Sequence, residues 1–179
     1  MKKLFLKLTA IFISNYIFAQ KINKTEFFTV STSIDINSSI KEDGLNIVAE
    51  IEYVGVIYAK LGIERFEALT GGYRDIHGAL GLNLTNNNER LRIYSGFRAA
   101  KVNRGHEGAY RINYGLEAGI DYDITENIFI GLRTALDKRY DQEIFGWNPE
   151  NKVSGFIRLG YKWKYKSSGY YDKPRKRRH

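Results

Sequence analysis

Residues 110–124 read Tyr110-Arg111-Ile112-Asn113-Tyr114-Gly115-Leu116-Glu117-Ala118-Gly119-Ile120-Asp121-Tyr122-Asp123-Ile124. Apolar or aromatic residues occupy every even position and polar residues or glycine every odd one. A period of two is that of a β-strand, whose successive side chains point to opposite faces. The run is long for a strand in a soluble domain, where about 5–6 residues is usual. It is long enough to cross a bilayer, which takes a tilted strand of about 9–11 residues with one face apolar throughout.

Seven further stretches carry the same alternation. They are predicted at 24–37, 45–53, 56–69, 73–84, 89–103, 128–140 and 153–165. The break near Val54-Gly55 is the least marked, and a single bent strand over 45–69 is the alternative there. Thr70-Gly71-Gly72, Thr85-Asn86-Asn87-Asn88 and Thr125-Glu126-Asn127 carry turn residues. Pro149 and Pro174 both lie outside the strands, so no ladder loses a donor. No helix is expected after the N-terminal segment. Eight strands joined by short loops make an antiparallel meander, and an even number can close into an up-and-down barrel without edges.

The first nineteen residues have the layout of a secretory signal. Met1-Lys2-Lys3 and Lys7 are basic, Leu8 to Phe18 is mostly apolar, and Ala19 suits cleavage. Ser14 and Asn15 interrupt that stretch, which is short for a helical span. The expected divisions are a signal at 1–19, a barrel at 20–165 and a basic tail at 166–179. The chain has no cysteine, so hydrogen bonding and packing must hold it together.

The net charge of +8 is concentrated at the ends. Three of the 28 basic residues lie in the signal and six in the tail, which leaves 19 bases and 19 acids between Lys21 and Tyr165. A neutral body argues against nucleic acid as a partner, since a nucleic-acid-binding fold presents a basic face. For the tail (Lys173-Pro174-Arg175-Lys176-Arg177-Arg178), an anionic periplasmic partner or the inner-leaflet phospholipids are an expectation beside a plain solvated run.

The polar strand faces mix glycine with charges of both signs. Gly81, Gly96, Gly115, Gly119, Gly131 and Gly160 stand beside charged residues. A water-exposed face has no need of glycine, whereas the crowded interior of an eight-stranded barrel does. Glu50, Glu52, Arg98, Arg111, Glu117, Asp121, Arg133, Asp137 and Arg158 are therefore expected as a lumen ion-pair network, because isolated buried charges are prohibitively costly. The apolar faces would then look at lipid.

The last strand ends Arg158-Leu159-Gly160-Tyr161-Lys162-Trp163-Lys164-Tyr165. Its Arg158, Gly160, Trp163 and Tyr165 resemble the assembly signal on the final strand of bacterial outer-membrane β-barrels, and the chain resembles those of the OmpA/OmpX size class. That resemblance implies an eight-stranded antiparallel transmembrane barrel in the outer membrane. It implies outer-membrane lipids and the barrel-assembly machinery as partners, and both termini in the periplasm. The loops at 38–44, 70–72, 103–108 and 141–152 would face outward.

Chemistry is sparse. Asp75 and His77 share a strand face and are a weak candidate for a catalytic pair, against a plain lumen hydrogen bond. No nucleophilic serine pairs with His77 at a telling spacing. His106-Glu107 offers too few ligands for a metal. Glu50, Glu52 and Glu64 could gather around calcium, or more simply pair with Arg90, Arg92, Arg98 or Arg111. The glycines at 71–72 and 115–119 match no phosphate loop. No cofactor or metal is expected. The sequence reads as a barrel with a structural or surface-binding role and without catalysis. The alternatives are an outer-membrane lipid-modifying enzyme using His77, or a soluble exported barrel with its apolar face inward around a small apolar ligand.

Overall fold

The computed structural model describes residues 26–69, 71–85, 90–105 and 109–164. The signal segment, His106-Glu107, Tyr165 and the basic tail lie outside them. Eight strands form one closed antiparallel barrel in sequence order: β1 (Phe27–Asp35), β2 (Asn46–Val54), β3 (Ile57–Phe66), β4 (Tyr73–Thr85), β5 (Leu91–Asn103), β6 (Tyr110–Asp123), β7 (Ile128–Lys138) and β8 (Asn151–Lys164). β8 closes on β1, with Phe27 opposite Lys164 and Asp35 opposite Phe156. The stretch 45–69 is two strands, turned at Gly55, whose N–H donates to the Ile57 carbonyl at 3.2 Å.

The register fixes the shape. Phe27 leads through Val54, Tyr58, Gly81, Gly96, Glu117 and Ala135 to Ser154, whose line meets β1 at position 37, a stagger of ten residues. Such a stagger tilts the strands by about 40° to the axis. One rim carries the start of β1, the end of β8 and the short turns. The opposite, upper rim carries the loops after β1, β3, β5 and β7.

Two short helical pieces on the upper rim correct the expectation of none. α1 (Ile36–Lys41) begins where the first strand was expected to continue. Asp35 ends that strand by capping the helix: its carboxylate accepts from Ser38 N at 3.0 Å and Ser38 Oγ at 2.6 Å. Ile36 keeps the apolar alternation, so the period alone hides the switch. The loop after β7 contains a 3-10 turn, Tyr140–Phe145, stopped by Gly146 in the left-handed region at φ 74°.

The barrel is polar inside and apolar outside. Leu116 is 49% exposed and its neighbour Glu117 is 2% exposed. The same inversion runs through every strand, with Val30, Ile51, Leu61, Leu80, Phe97, Leu132 and Ile157 outward. This removes the apolar lumen that a soluble carrier of an apolar ligand would require. On β7 the outward face is apolar from Ile128 to Leu136 except for Thr134, whose hydroxyl donates to the Ser154 carbonyl, and turns basic at Lys138. Nine residues at about 3.3 Å each, tilted by about 40°, make a band about 23 Å tall.

Candidate functional site

The lumen is filled by charged side chains in three tiers. In the lower tier, Arg92 of β5 and Arg158 of β8 lie between Glu52 of β2 and Asp121 of β6. Arg92 NH1 donates to Glu52 Oε2 at 2.9 Å and to Asp121 Oδ2 at 3.1 Å. Arg158 NH1 donates to Tyr94 Oη at 2.6 Å and to both Asp121 oxygens at 3.0 and 3.1 Å. Its NH2 reaches Ser31 Oγ at 3.1 Å and Glu52 Oε2 at 3.4 Å. Two cations meet two anions.

The middle tier repeats that balance. Glu50 accepts from Arg133. Lys60 Nζ lies 2.8 Å from Glu117 Oε1 and 3.7 Å from Glu50 Oε1, an ion pair off the hydrogen-bond line. Tyr58 donates to Glu117 at 2.8 Å. In the upper tier, Arg98 NH2 donates to Glu64 and Asp75, each at 3.0 Å, and NH1 to Asp137. His77 ties the two tiers together: Nδ1 lies 2.7 Å from Asp75 Oδ1 and Nε2 lies 3.2 Å from Glu50 Oε1. Both ring nitrogens face carboxylates, so the doubly protonated ring satisfies both.

Glycine makes the room. A Cβ at Gly81 or Gly96 would strike the Tyr58 ring, one at Gly119 the Tyr94 ring and one at Gly160 the Phe129 ring. Each of these buried rings occupies the gap left by a missing side chain on the adjacent strand, and Tyr58 also reaches Gly96 one strand further on. Shape and charge together close the barrel.

A lid caps the upper end. Asp141 in the 3-10 turn accepts from Arg139 Nε and NH2, both at 2.5 Å, from Arg104 NH1 at 2.9 Å and from Asn113 Nδ2 at 2.7 Å. Burial pushes its carboxyl up, but the hydrogen bonds from Arg139 and Asn113 and the two guanidinium charges outweigh that and hold it below its ordinary value. The Arg104 and Arg139 guanidiniums lie over the Tyr73 ring at 5.8 and 5.0 Å.

Eight of the nine residues expected in the lumen network are buried there. Arg111 is the correction. It lies at the top of β6, above the point where β7 begins to pair, and its exposed side chain meets the equally exposed Glu143 at 3.4 Å. Glu50, Glu52 and Glu64 do not gather; each takes its own cation, Arg133, Arg92 and Arg98 respectively. Among the described residues no cluster of three or more His, Cys, Asp or Glu is arranged to hold a metal ion. Lys60, Tyr58 and Tyr94 were missed as network members. Their even or odd position on the polar face was the available signal. Of the lid residues, Asn113 has the inward parity of β6 and Arg139 continues that of β7, whereas Arg104 and Asp141 carried no signal, because loops have no period.

Arg158 and Gly160 of the final-strand pattern point inward. Trp163 points outward beside Tyr161, with ring centroids 4.9 Å apart.

The tilt, the eight-stranded closure and the inverted polarity define a small β-barrel of the transmembrane type. Solved structures of that type share the fold. The N-terminal β-barrel domain of Pseudomonas aeruginosa OprF matches with a TM-score of 0.51 at 11% identity, over 79% of this chain and 98% of that one. The Yersinia pestis outer-membrane protein Ail matches at 0.50 and 10%, over 79% and 100%. A de novo designed transmembrane β-barrel matches at 0.50 and 11%, over 82% and 98%. No protein-family model and no curated protein matches the sequence.

Proposed function

We propose that this chain is an integral barrel of the bacterial outer membrane, exported by its first nineteen residues, that acts as a structural or surface-binding element through its long-loop rim. The observation that carries the reading is the outward apolar band, about 23 Å tall, which is close to the height of about 25 Å of the lipid-facing band of such barrels. A monomeric soluble protein rarely exposes an apolar patch beyond a few hundred Å². The upper rim faces outward, because outer-membrane barrels keep short turns on the periplasmic side. The final-strand pattern is the handle for the assembly machinery. The basic tail, on the rim of the termini, meets an anionic periplasmic partner or inner-leaflet phospholipid.

Three filled tiers and a lid argue against an open pore, which in barrels needs more strands. Catalysis is disfavoured by the place of His77. It is 1% exposed, both nitrogens are engaged, and Gly62 is packed against its ring, so no lipid substrate reaches it.

The test is fractionation. The protein should appear in the outer-membrane fraction and migrate faster on a denaturing gel before boiling than after. Recovery in the soluble periplasm without detergent refutes the reading.

A further inference from the structure

The two boundaries of the apolar band differ. At the lower one the outward side chains are aromatic: Phe28, Tyr53, Tyr122, Tyr161 and Trp163. At the upper one they are basic on four of the eight strands. Arg65, Arg74, Lys101 and Lys138 point outward from β3, β4, β5 and β7. With the observed stagger and about 3.3 Å per residue, these four lie within about 3 Å of one level along the axis. They flank the Tyr110–Tyr114 edge of β6, and Lys101 Nζ sits 4.4 Å from the centre of the Tyr110 ring.

Below this belt the outer wall is hollowed. A furrow of about 1010 Å³ crosses the outer wall from Phe28 and Tyr53 on β1 and β2 to Tyr114 and Leu116 on β6. Its floor is Ala59, Gly78 and Ala99, and its walls include Leu61, Phe97 and Tyr114. Gly78 differs from the lumen glycines, since no ring fills its place. A Cβ there would make only ordinary contacts, 3.6 Å to Leu61 Cδ2 and 3.7 Å to the Lys60 carbonyl. Gly78 stands directly across from Ala99 in the register, two residues below Ile76–Lys101. The furrow ends at Ala99 and Tyr114. Lys101 stands two residues above Ala99 on the same outward face, and Arg74 lies diagonally beside Lys101, two residues above Ile76.

We infer that this face seats one membrane lipid, its acyl chain in the Gly78–Ala99 furrow and a phosphomonoester headgroup against Arg74 and Lys101. The charge count selects the headgroup. Glu67 bridges Arg65 Nε at 2.6 Å and Arg74 NH2 at 3.1 Å, which leaves that triad at +1. Lys101 brings the site to +2. A phosphomonoester carries about −1.5 to −2 near neutral pH, whereas a phosphodiester carries only one negative charge. The inference rests on the membrane reading above.

The mature chain, refolded and purified in detergent, is titrated with dimyristoyl phosphatidic acid, phosphatidylglycerol and phosphatidylcholine, and bound lipid is read by native mass spectrometry. Each cation at an anionic headgroup contributes about fivefold, so phosphatidic acid should bind about thirtyfold tighter than phosphatidylcholine, with phosphatidylglycerol between. The Arg74→Gln/Lys101→Gln variant should lose this discrimination. Gly78→Leu should weaken all three lipids and keep their order. Equal binding of the three lipids by the unaltered chain overturns the inference. So does a double variant that still discriminates, or a Gly78→Leu variant that binds as before. Insertion into pure phosphatidylcholine vesicles, followed by heat-modifiable migration, is read in parallel for every variant. A chain that inserts but does not discriminate refutes the lipid site alone.

Discussion

Replacing Arg158 by Met removes one charge from the lower tier and leaves most of the volume. Arg158 is fully buried and serves four side chains there: Asp121, Tyr94, Ser31 and Glu52. Its Nε also lies 3.6 Å from Glu50 Oε2. Without it, Glu52 and Asp121 share Arg92 alone, and a neutral tier becomes a buried net anion. Removing one partner of a buried pair costs about 3–5 kcal/mol, because the other charge is left uncompensated. A second substitution, Asp121→Asn, restores neutrality and should recover at least about 2 kcal/mol, within the range of couplings seen in contacting networks. The assay is urea unfolding in phospholipid vesicles, followed by the faster-migrating folded band and by tryptophan fluorescence, for the single variants and the pair. If Arg158→Met lies within about 1 kcal/mol of the unaltered chain, or the double variant is no better than Arg158→Met, the tiered charge balance is not what closes the lumen.

Gly81→Ala should cost about 2–3 kcal/mol, because its Cβ would strike the Ser95 carbonyl and Gly96 Cα, which are backbone and cannot swing away. Gly155→Ala, with nothing near its Cβ, is the control and should stay within about 0.5 kcal/mol; both are read by the same urea titration. His77→Phe should leave lipid A and phospholipid mass spectra of the cells unchanged while lowering stability, since Asp75 and Glu50 lose their shared donor; an altered lipid profile would revive the catalytic reading. The lid should open in acid. The Asp141 carboxyl is held below its unfolded value, so its contribution is full above about pH 4 and is lost as pH falls through the lower folded value. Fluorescence of Trp147, which packs 5.3 Å from Phe145 in the lid, should report that step in a Trp163→Phe background, and Asp141→Asn should abolish it.

Most of the barrel was legible because a strand with unlike faces writes its period into the sequence. Tyr110–Ile124 shows this best, where the glycines and mixed charges of one face mark it as the crowded interior. The period also misleads where it continues past its element. Ile36 keeps the alternation of β1, yet Asp35 has already turned the chain into α1 by capping it. Arg111 has the right parity for the lumen, but parity says nothing of height, and strand tilt lifts it above the neighbouring β7. The pairing of particular charges was hidden for a related reason. Glu52 meets Arg92 across the barrel from a strand forty residues away, a distance set by the stagger of ten and not by any local pattern. The lid of Arg104, Arg139 and Asp141 follows only from where the loops after β5 and β7 converge.

The lower tier takes its members from β1, β2, β5, β6 and β8, and that has a consequence for how the chain enters a bilayer. Ser31 and Arg158 sit on the first and last strands, so the tier is complete only once the seam between them is shut. An unzipped sheet would carry Glu52, Asp121 and Arg158 on an open face, harmless in water and ruinous in hydrocarbon. An unfinished sheet is disfavoured in hydrocarbon until the first and last strands have joined.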